Sequence, residues 1–524
     1  MKSFPVFAAA LLGAAGAATA QSNTQRVTTT GTDNSVTIVQ TGVYNSSQAT
    51  VTGQLNTLTS TQNGSSNRAI QSQTSFYGRA SVSQTGNSNQ AVQSQNSGPG
   101  TSVSITQLGS ANTANQVLAG GGQGSGIVIA QTGTNNRGNQ QVEFLYGGSV
   151  SLSQTGTGNT GSQQQTGSHY SSKIAATQIG SHNTATQNQY TYYNTASASL
   201  YQAGNSNSAT QNQDGDGTTG ATISQIGDGN SASQRETGSF RSGGSSGVID
   251  QTGTRNRASQ NQSIGSASAT QNGSDNLITQ TQQTSFGSNA QASQTGNNNT
   301  LVQSQQAEFG LTARATQMGS GNSGTQIQIG GNGLATLDQT GQRNNVTQRQ
   351  EQGGSIAVAT TQTGNDNRAT QVQVMGAATA TIQQTGNVNQ AAQDQRGGSY
   401  LTARITQTGG GNAASQTQTG SLNEATIEQT GNCLSASQTQ TSPGGASFAR
   451  VMVVQSGFGQ QAIQVQNGGR DNQALIDQSG LNNYARQEQS GELNSVSTYQ
   501  GLSGNRSEVV QAGSDNVLVI RQNR

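Results

Sequence analysis

The chain has no tryptophan, one cysteine, two histidines and three prolines. Only 8% of its 524 residues are charged, and the formal net charge is +1. Each scarcity excludes something. A single cysteine, Cys433, rules out an internal disulfide. Two histidines, His169 and His182, are too few for a histidine metal cluster or a histidine-based triad, and His182 falls in a polar turn, Gly180-Ser181-His182-Asn183. Lysine occurs only at Lys2 and Lys173 and there is no basic run, so nothing speaks for nucleic acid or an anionic membrane as partner. Asp214-Gly215-Asp216-Gly217 lacks the ligand set of a calcium loop. No cofactor is expected. Leu, Ile, Val and Phe make up about 15% of the chain, too little for ordinary globular cores. With so little charge the chain is not pushed towards self-repelling disorder either. A polar, uncharged, amide-rich chain tends instead towards stacked β-structure.

What is abundant is glutamine (76) and glycine (71), and both recur at fixed places. In the stretch from Gln84 to Gln95 the pattern is Q-x-G-x-x-N-x-A-x-Q-x-Q, carried by Gln84, Gly86, Asn89, Ala91, Gln93 and Gln95. It returns as Gln107-Gly109-Asn112, Gln178-Gly180-Asn183, Gln362-Gly364-Asn367, Gln384-Gly386-Asn389 and Gln407-Gly409-Asn412. From Gln40 to Gln478 the first Gln recurs over 438 residues in 19 steps, about 23 per step. Leu434 and Gln460 stand where Asn is expected. Repetition at this period is the mark of a stacked repeat architecture.

Within a repeat the period is 2, which is the period of a strand. Ile105 lies two residues before Gln107 and Val103 four before, with polar residues between. The first strand therefore turns a small apolar residue, a larger one and Gln to one face. After a turn at Thr-Gly-x-x, the second strand turns Asn, Ala, Gln and Gln to the same face. Folding the two strands face to face sets Ile105 against Ala114 and Val103 against Gln116, large against small. The first Gln is then expected opposite Asn. One such coil cannot bury itself, whereas stacked coils can. The expected fold is all-β: a parallel β-solenoid, or cross-β stack, of roughly 20 two-strand coils of about 23 residues. Stacking sets Gln on Gln and Asn on Asn, so the ladder residues named above are the candidate functional set. Turns at glycine should give one smooth edge. The variable connections, among them those around Pro99 and Pro443, should give a ragged one.

Residues 1–20 read as a signal peptide, with Lys2 at the start, an apolar run to Ala18 and Ala18-Thr19-Ala20 as a cleavage site. Residues 21–39 form a short entry segment and 40–524 the repeats. No later stretch is apolar enough for a helical span, so no integral membrane anchor is expected.

The arrangement Gln-x-Gly-x-x-Asn-x-Ala, with another Gln eleven residues after the first, resembles the curlin repeat of curli-type subunits. The resemblance runs along essentially the whole chain after residue 20. It departs in repeat number, about four times that of the better-known subunits, and in its glutamine at the ninth position, as at Gln93 and Gln116. The resemblance implies a secreted, non-enzymatic structural subunit of extracellular amyloid fibres that support biofilm matrix, adhesion and cell aggregation. It implies a Gram-negative cell surface as the location. The partners it implies are further copies of the chain added end to end, a nucleator subunit and an outer-membrane secretion pore. Half-spaced motifs at Gln407, Gln418 and Gln429, and a tail holding Arg521 and Arg524, resemble nucleator-type curlins. Two other readings stay open: a non-polymerising solenoid adhesin or stalk, and an ice-binding solenoid using Thr85, Thr132, Thr155 and their equivalents.

Overall fold

A computed structural model of the chain describes residues 22–523, apart from 121–123, 144–145, 168–171, 191–194, 216, 218, 239–243, 285–286, 308–309 and 443–447. The signal-peptide reading of 1–20, His169, Asp216 and the connection at Pro443 lie outside the described residues.

The protein is an all-β parallel solenoid of about 20 turns of about 23 residues. The chain divides into two units, Met1–Ile264 and Gly265–Arg524. In each, a strand pairs in parallel with its equivalent one coil further on. In the first unit Arg79–Asn87 lies on Ser102–Ser110, so that Ala80 meets Val103, Val82 meets Ile105 and Gln84 meets Gln107. In the second, Ala380 meets Ala403, Ile382 meets Ile405 and Gln384 meets Gln407. The register is fixed by the face each residue must take, because a slip of one would turn every inward residue out.

Burial follows that alternation. Along Arg79–Asn87 the buried residues are Ala80, Val82 and Gln84, and along Gln90–Ser97 they are Ala91, Gln93 and Gln95. Large is set against small between the two walls. A methyl group added at Gly161, in the Ala position, would meet the Leu152 side chain of the opposite strand, and at Gly138 it would meet both Leu152 and Ile129.

One smooth and one ragged edge are found in the middle of the first unit, tight at Asn87–Gln90 and Ser110–Thr113 and longer at Gly120–Gly126 and Glu143–Ser149, but the coils near the start and the end of the described chain differ from that expectation. Towards the start of the described chain, strands begin at an even half-coil spacing, at Thr24, Ser35, Ser46, Thr57, Arg68, Arg79 and Gln90. The same spacing holds at Gln473, Tyr484, Ser495, Arg506 and Val517. Both edges of these coils are tight turns. The physical reason is a second set of glycines half a coil along: Gly31 and Gly53, then Gly491 and Gly513, all at positive φ. The entry segment 21–39 holds the strand Thr24–Thr32, which pairs in register with Ser46–Gln54.

Candidate functional site: the inward amide columns

Four inward positions carry amides, and each forms a column along the stack. In the first, the Nε2 of each Gln donates to the Oε1 of the Gln one coil further on: Gln84 to Gln107 at 2.8 Å, Gln107 to Gln131 at 2.8 Å, Gln178 to Gln202 at 2.9 Å. The second unit repeats this for Gln362 to Gln384, Gln384 to Gln407 and Gln407 to Gln429. The other N–H of the amide reaches a backbone carbonyl of the preceding coil, as Gln84 does to Arg68 at 3.1 Å. The first Gln therefore bonds the backbone just after Asn67, and the Asn amide is engaged elsewhere.

The Asn column runs in the opposite sense. The Nδ2 and backbone N–H of Asn89 both donate to the Oδ1 of Asn67 at 3.1 Å, and the Nδ2 also donates to the Gly109 carbonyl of the next coil at 2.8 Å. Asn112, Asn183, Asn367 and Asn389 repeat this arrangement. Asn412 keeps the bonds to Asn389 and to Gly431. The inward Asn is thus both a ladder member and the clamp of the glycine turn. That second duty was not read from the sequence. At the degenerate positions, the Gln460 amide takes over the clamp by donating to Gly480 at 3.1 Å, whereas Leu434 has no side chain to do so.

Asn367 shows what the clamp contributes. Its Nδ2 donates to Asn344 and Gly386, and its Oδ1 accepts from Asn389. Changing Asn367 to Ala removes these bonds and leaves buried groups unpaired. The loss expected from denaturant unfolding is about 2–3 kcal/mol. A variant as stable as the parent would show the clamp to be idle.

The two remaining Gln columns differ in completeness. The column of Gln93, Gln116 and Gln140 is bonded at every step. The column of Gln95 is broken in the first unit: Gln95 faces Leu118 in the next coil and turns its amide to Thr101. Leu118 and Val142 join Val103, Ile127, Val150 and Ile174 in an apolar cluster instead. Further along the same column sits Glu236, fully buried, which accepts from Gln213 and from the Ser245 hydroxyl, both at 3.4 Å. Burial pushes its carboxyl up to about 7 from 4.5, against the smaller lowering effect of those bonds. In the second unit the column is continuous from Gln282 to Gln511.

The outer face carries little chemistry. Arg343 donates to Asp366 through two nitrogens at 2.7 Å, which raises the guanidinium and lowers the carboxyl from their ordinary values. Asp394 is likewise paired with Arg396. Cys433 and His182 lie in the turns. A cleft of about 540 Å³ is shallow and lined by residues that include Gln164, Asn188, Tyr190, Asn212, Asp214 and Arg235. Among the described residues no group of three or more His, Cys, Asp or Glu is placed to hold a metal, and no helix is long and apolar enough to cross a membrane.

Among the described residues the columns run out to the strands Thr24–Thr32 and Val517–Gln522. Val27, an inward residue of Thr24–Thr32, is 38% exposed, while its column neighbour Ala49 is at 0%. Leu518, inward on Val517–Gln522, is 37% exposed, while Val496 beneath it is at 1%. The Oε1 of Gln40 is buried without a donor among the described residues.

Compared with known proteins, residues 398–431 match the family model of the curlin-associated repeat. No curated protein matches the chain.

Proposed function

We propose, from the match of residues 398–431 to the curlin-associated repeat, that the chain is a secreted structural subunit that polymerises through its terminal coils into extracellular amyloid fibres. The observation that carries this reading is the pair of terminal described coils. Val27 in one and Leu518 in the other are inward apolar residues left 38% and 37% exposed, and an uncovered strand edge is a template for a further strand. A second copy stacked at about 4.8 Å would complete every column it meets. The reading places the protein at a bacterial cell surface, with a nucleator and a secretion pore as partners, and gives it no catalytic role. A repeat fold with a curlin match fits a structural protein, and the inward groups are committed to one another.

The test is assembly of residues 21–524 from denaturant. A lag phase abolished by preformed seeds and a rise in thioflavin fluorescence are expected. Fibre diffraction should show the strand spacing at about 4.7 Å and the sheet spacing at about 10 Å. A folded, soluble, dye-negative monomer at high concentration would sink the proposal and leave a solenoid adhesin or stalk.

A further inference from the structure

We propose that the oxygens of Thr219, Glu236, Ser245 and Gln262 form a buried site for one monovalent metal cation, sodium or potassium, held between two successive coils of the first unit. The site is independent of the fibre reading and does not involve the terminal coils.

The polarity of the column creates the need. Along the column of Gln95 the Nε2 of one Gln donates to the Oε1 of the next, as Gln189 does to Gln213 at 2.9 Å. Gln213 hands the bond on to the Glu236 carboxylate at 3.4 Å. A carboxylate has no N–H with which to continue. Gln262 is the register partner of Glu236 in the next coil, so its Oε1 meets an acceptor where a donor is required. Neither amide atom of Gln262 has a partner among the described residues, and nor does the Glu236 Oε1. Two acceptor oxygens are thus left one coil step apart.

The opposite wall adds two more oxygens. Thr219 and Ser245 are register partners on successive coils. The Ser245 hydroxyl lies 3.4 Å from the Glu236 carboxylate, and Gly220, next to Thr219, approaches it as well. The Thr219 Oγ1 is buried without a partner among the described residues. One carboxylate, one amide oxygen and two hydroxyls therefore stand on two levels and two walls, none of these residues more than 3% exposed.

Size and charge choose the ligand. Successive coils are about 4.8 Å apart, so an ion midway lies about 2.4 Å from each level, within the oxygen contacts of a hard cation. The donors are all oxygens, with no nitrogen or sulfur to favour a softer metal. Glu236 is the only charged side chain that is buried among the described residues. No charged group acts on it among them, and its neighbour Arg235 lines the surface cleft. A monovalent ion balances that single charge, whereas a divalent one would bury an excess, which is costly. The sequence provides for the carboxylate at this coil alone. Gly247 stands where the other coils hold Ala, Val, Ile or Leu, and a Cβ there would lie 2.6 Å from the Glu236 Oε1.

A proton is the competing occupant, because a protonated Glu236 can itself donate to Gln262. The alkaline destabilisation that comes with an ionised buried carboxylate then belongs to solutions without sodium or potassium. Hydrogen exchange on the full chain separates the two. At pH 8, sodium or potassium chloride is compared with tetramethylammonium chloride at equal ionic strength, the last ion being too large to enter between coils. A cation at about ten times its dissociation constant should slow exchange about tenfold along Ser231–Glu236 and Arg257–Gln262. The remote strand Arg79–Asn87 should not respond. At pH 4, with the carboxyl protonated, the three salts should act alike. E236Q should lose the cation dependence. T219V, close in shape to the parent, should weaken it, and this variant carries the test if E236Q does not fold. Equal exchange in the three salts at pH 8, or a cation dependence kept in full by E236Q or by T219V, would overturn the site and leave the proton as the occupant.

Discussion

Replacing Gly364 with alanine is expected to be among the most damaging single changes in the second unit, with a loss of at least about 4 kcal/mol or failure to fold. Two effects add. The residue has φ +119°, a region that side chains rarely adopt. A Cβ built there would also fall far inside 3.0 Å of the Gly386 carbonyl oxygen. That oxygen cannot withdraw, because it accepts from the Nδ2 of Asn367 at 2.7 Å. The turns of successive coils are in contact along the edge, so relieving the clash means parting two coils. Gly354 is the control: nothing lies within 4 Å of a Cβ there and its φ is ordinary. G354A should unfold with the parent in a denaturant titration. G364A should lose amide protection across Asn345–Asn365 and Arg368–Asn387 in hydrogen exchange. Equal behaviour of the two variants would show that glycine is not required by the turn.

The difference between these two glycines marks how far the sequence could be read. Strand direction, inward face and coil length were legible because period 2 and a step near 23 are printed along the chain. Burial turns that period into register, as Ile105 on Ile129 and Gln107 on Gln131 show. The turn was only half legible. Glycine advertises its own positive φ, but each turn needs a second left-handed residue just before the inward Asn. That place is filled by Ser88, Ala111, His182 and even Val388, at φ 55 to 61°. No residue type marks it. The conformation is held from outside, by Asn367 donating to the Gly386 carbonyl of the turn and by the Val388 N–H donating to the Asn365 carbonyl. A β-branched residue is tolerated there because the stack over-determines the backbone, and a single repeat would not reveal this.

The same logic explains why a core so poor in hydrophobic residues is coherent. Each inward amide depends on the neighbouring coils, bonding its counterpart there as well as backbone carbonyls. The energetic unit is therefore the column, and a local substitution is felt through the coils on either side. Where apolar residues enter the Gln95 column, at Leu118 and Val142, they do so in adjacent coils and pack together. The alternative is an orphaned amide. Gln165 follows Val142 in the column and has no partner for either amide atom among the described residues.

Glu236 is where a column admits a charge, and the first unit is expected to lose stability as pH rises because of it. The sequence shows Glu in the place of Gln, but the consequence depends on burial. In the unfolded chain its carboxyl titrates near 4.5, and in the folded chain near 7. Below pH 4.5 it is protonated in both states, and the full stability is present. Between 4.5 and 7 the unfolded chain ionises first, so stability falls. Above 7 the loss is complete, about 3 kcal/mol at about 1.4 kcal/mol per pH unit. Among the described residues no compensating cation acts on it: the groups that bond or approach the carboxylate are Gln213, Ser245, Gly220 and Gly247, and its Oε1 has no partner among them. In E236Q an amide oxygen can still accept from Gln213, and the new N–H₂ faces Gln262, whose own amide lacks partners among the described residues. The variant should be more stable than the parent by about 3 kcal/mol at pH 8 and indistinguishable from it at pH 4. Hydrogen exchange along Ser231–Glu236 at the two pH values reads the difference locally. Parallel pH profiles for parent and variant would show that the carboxylate is solvated when ionised, and that this column opens to water without disturbing its neighbours.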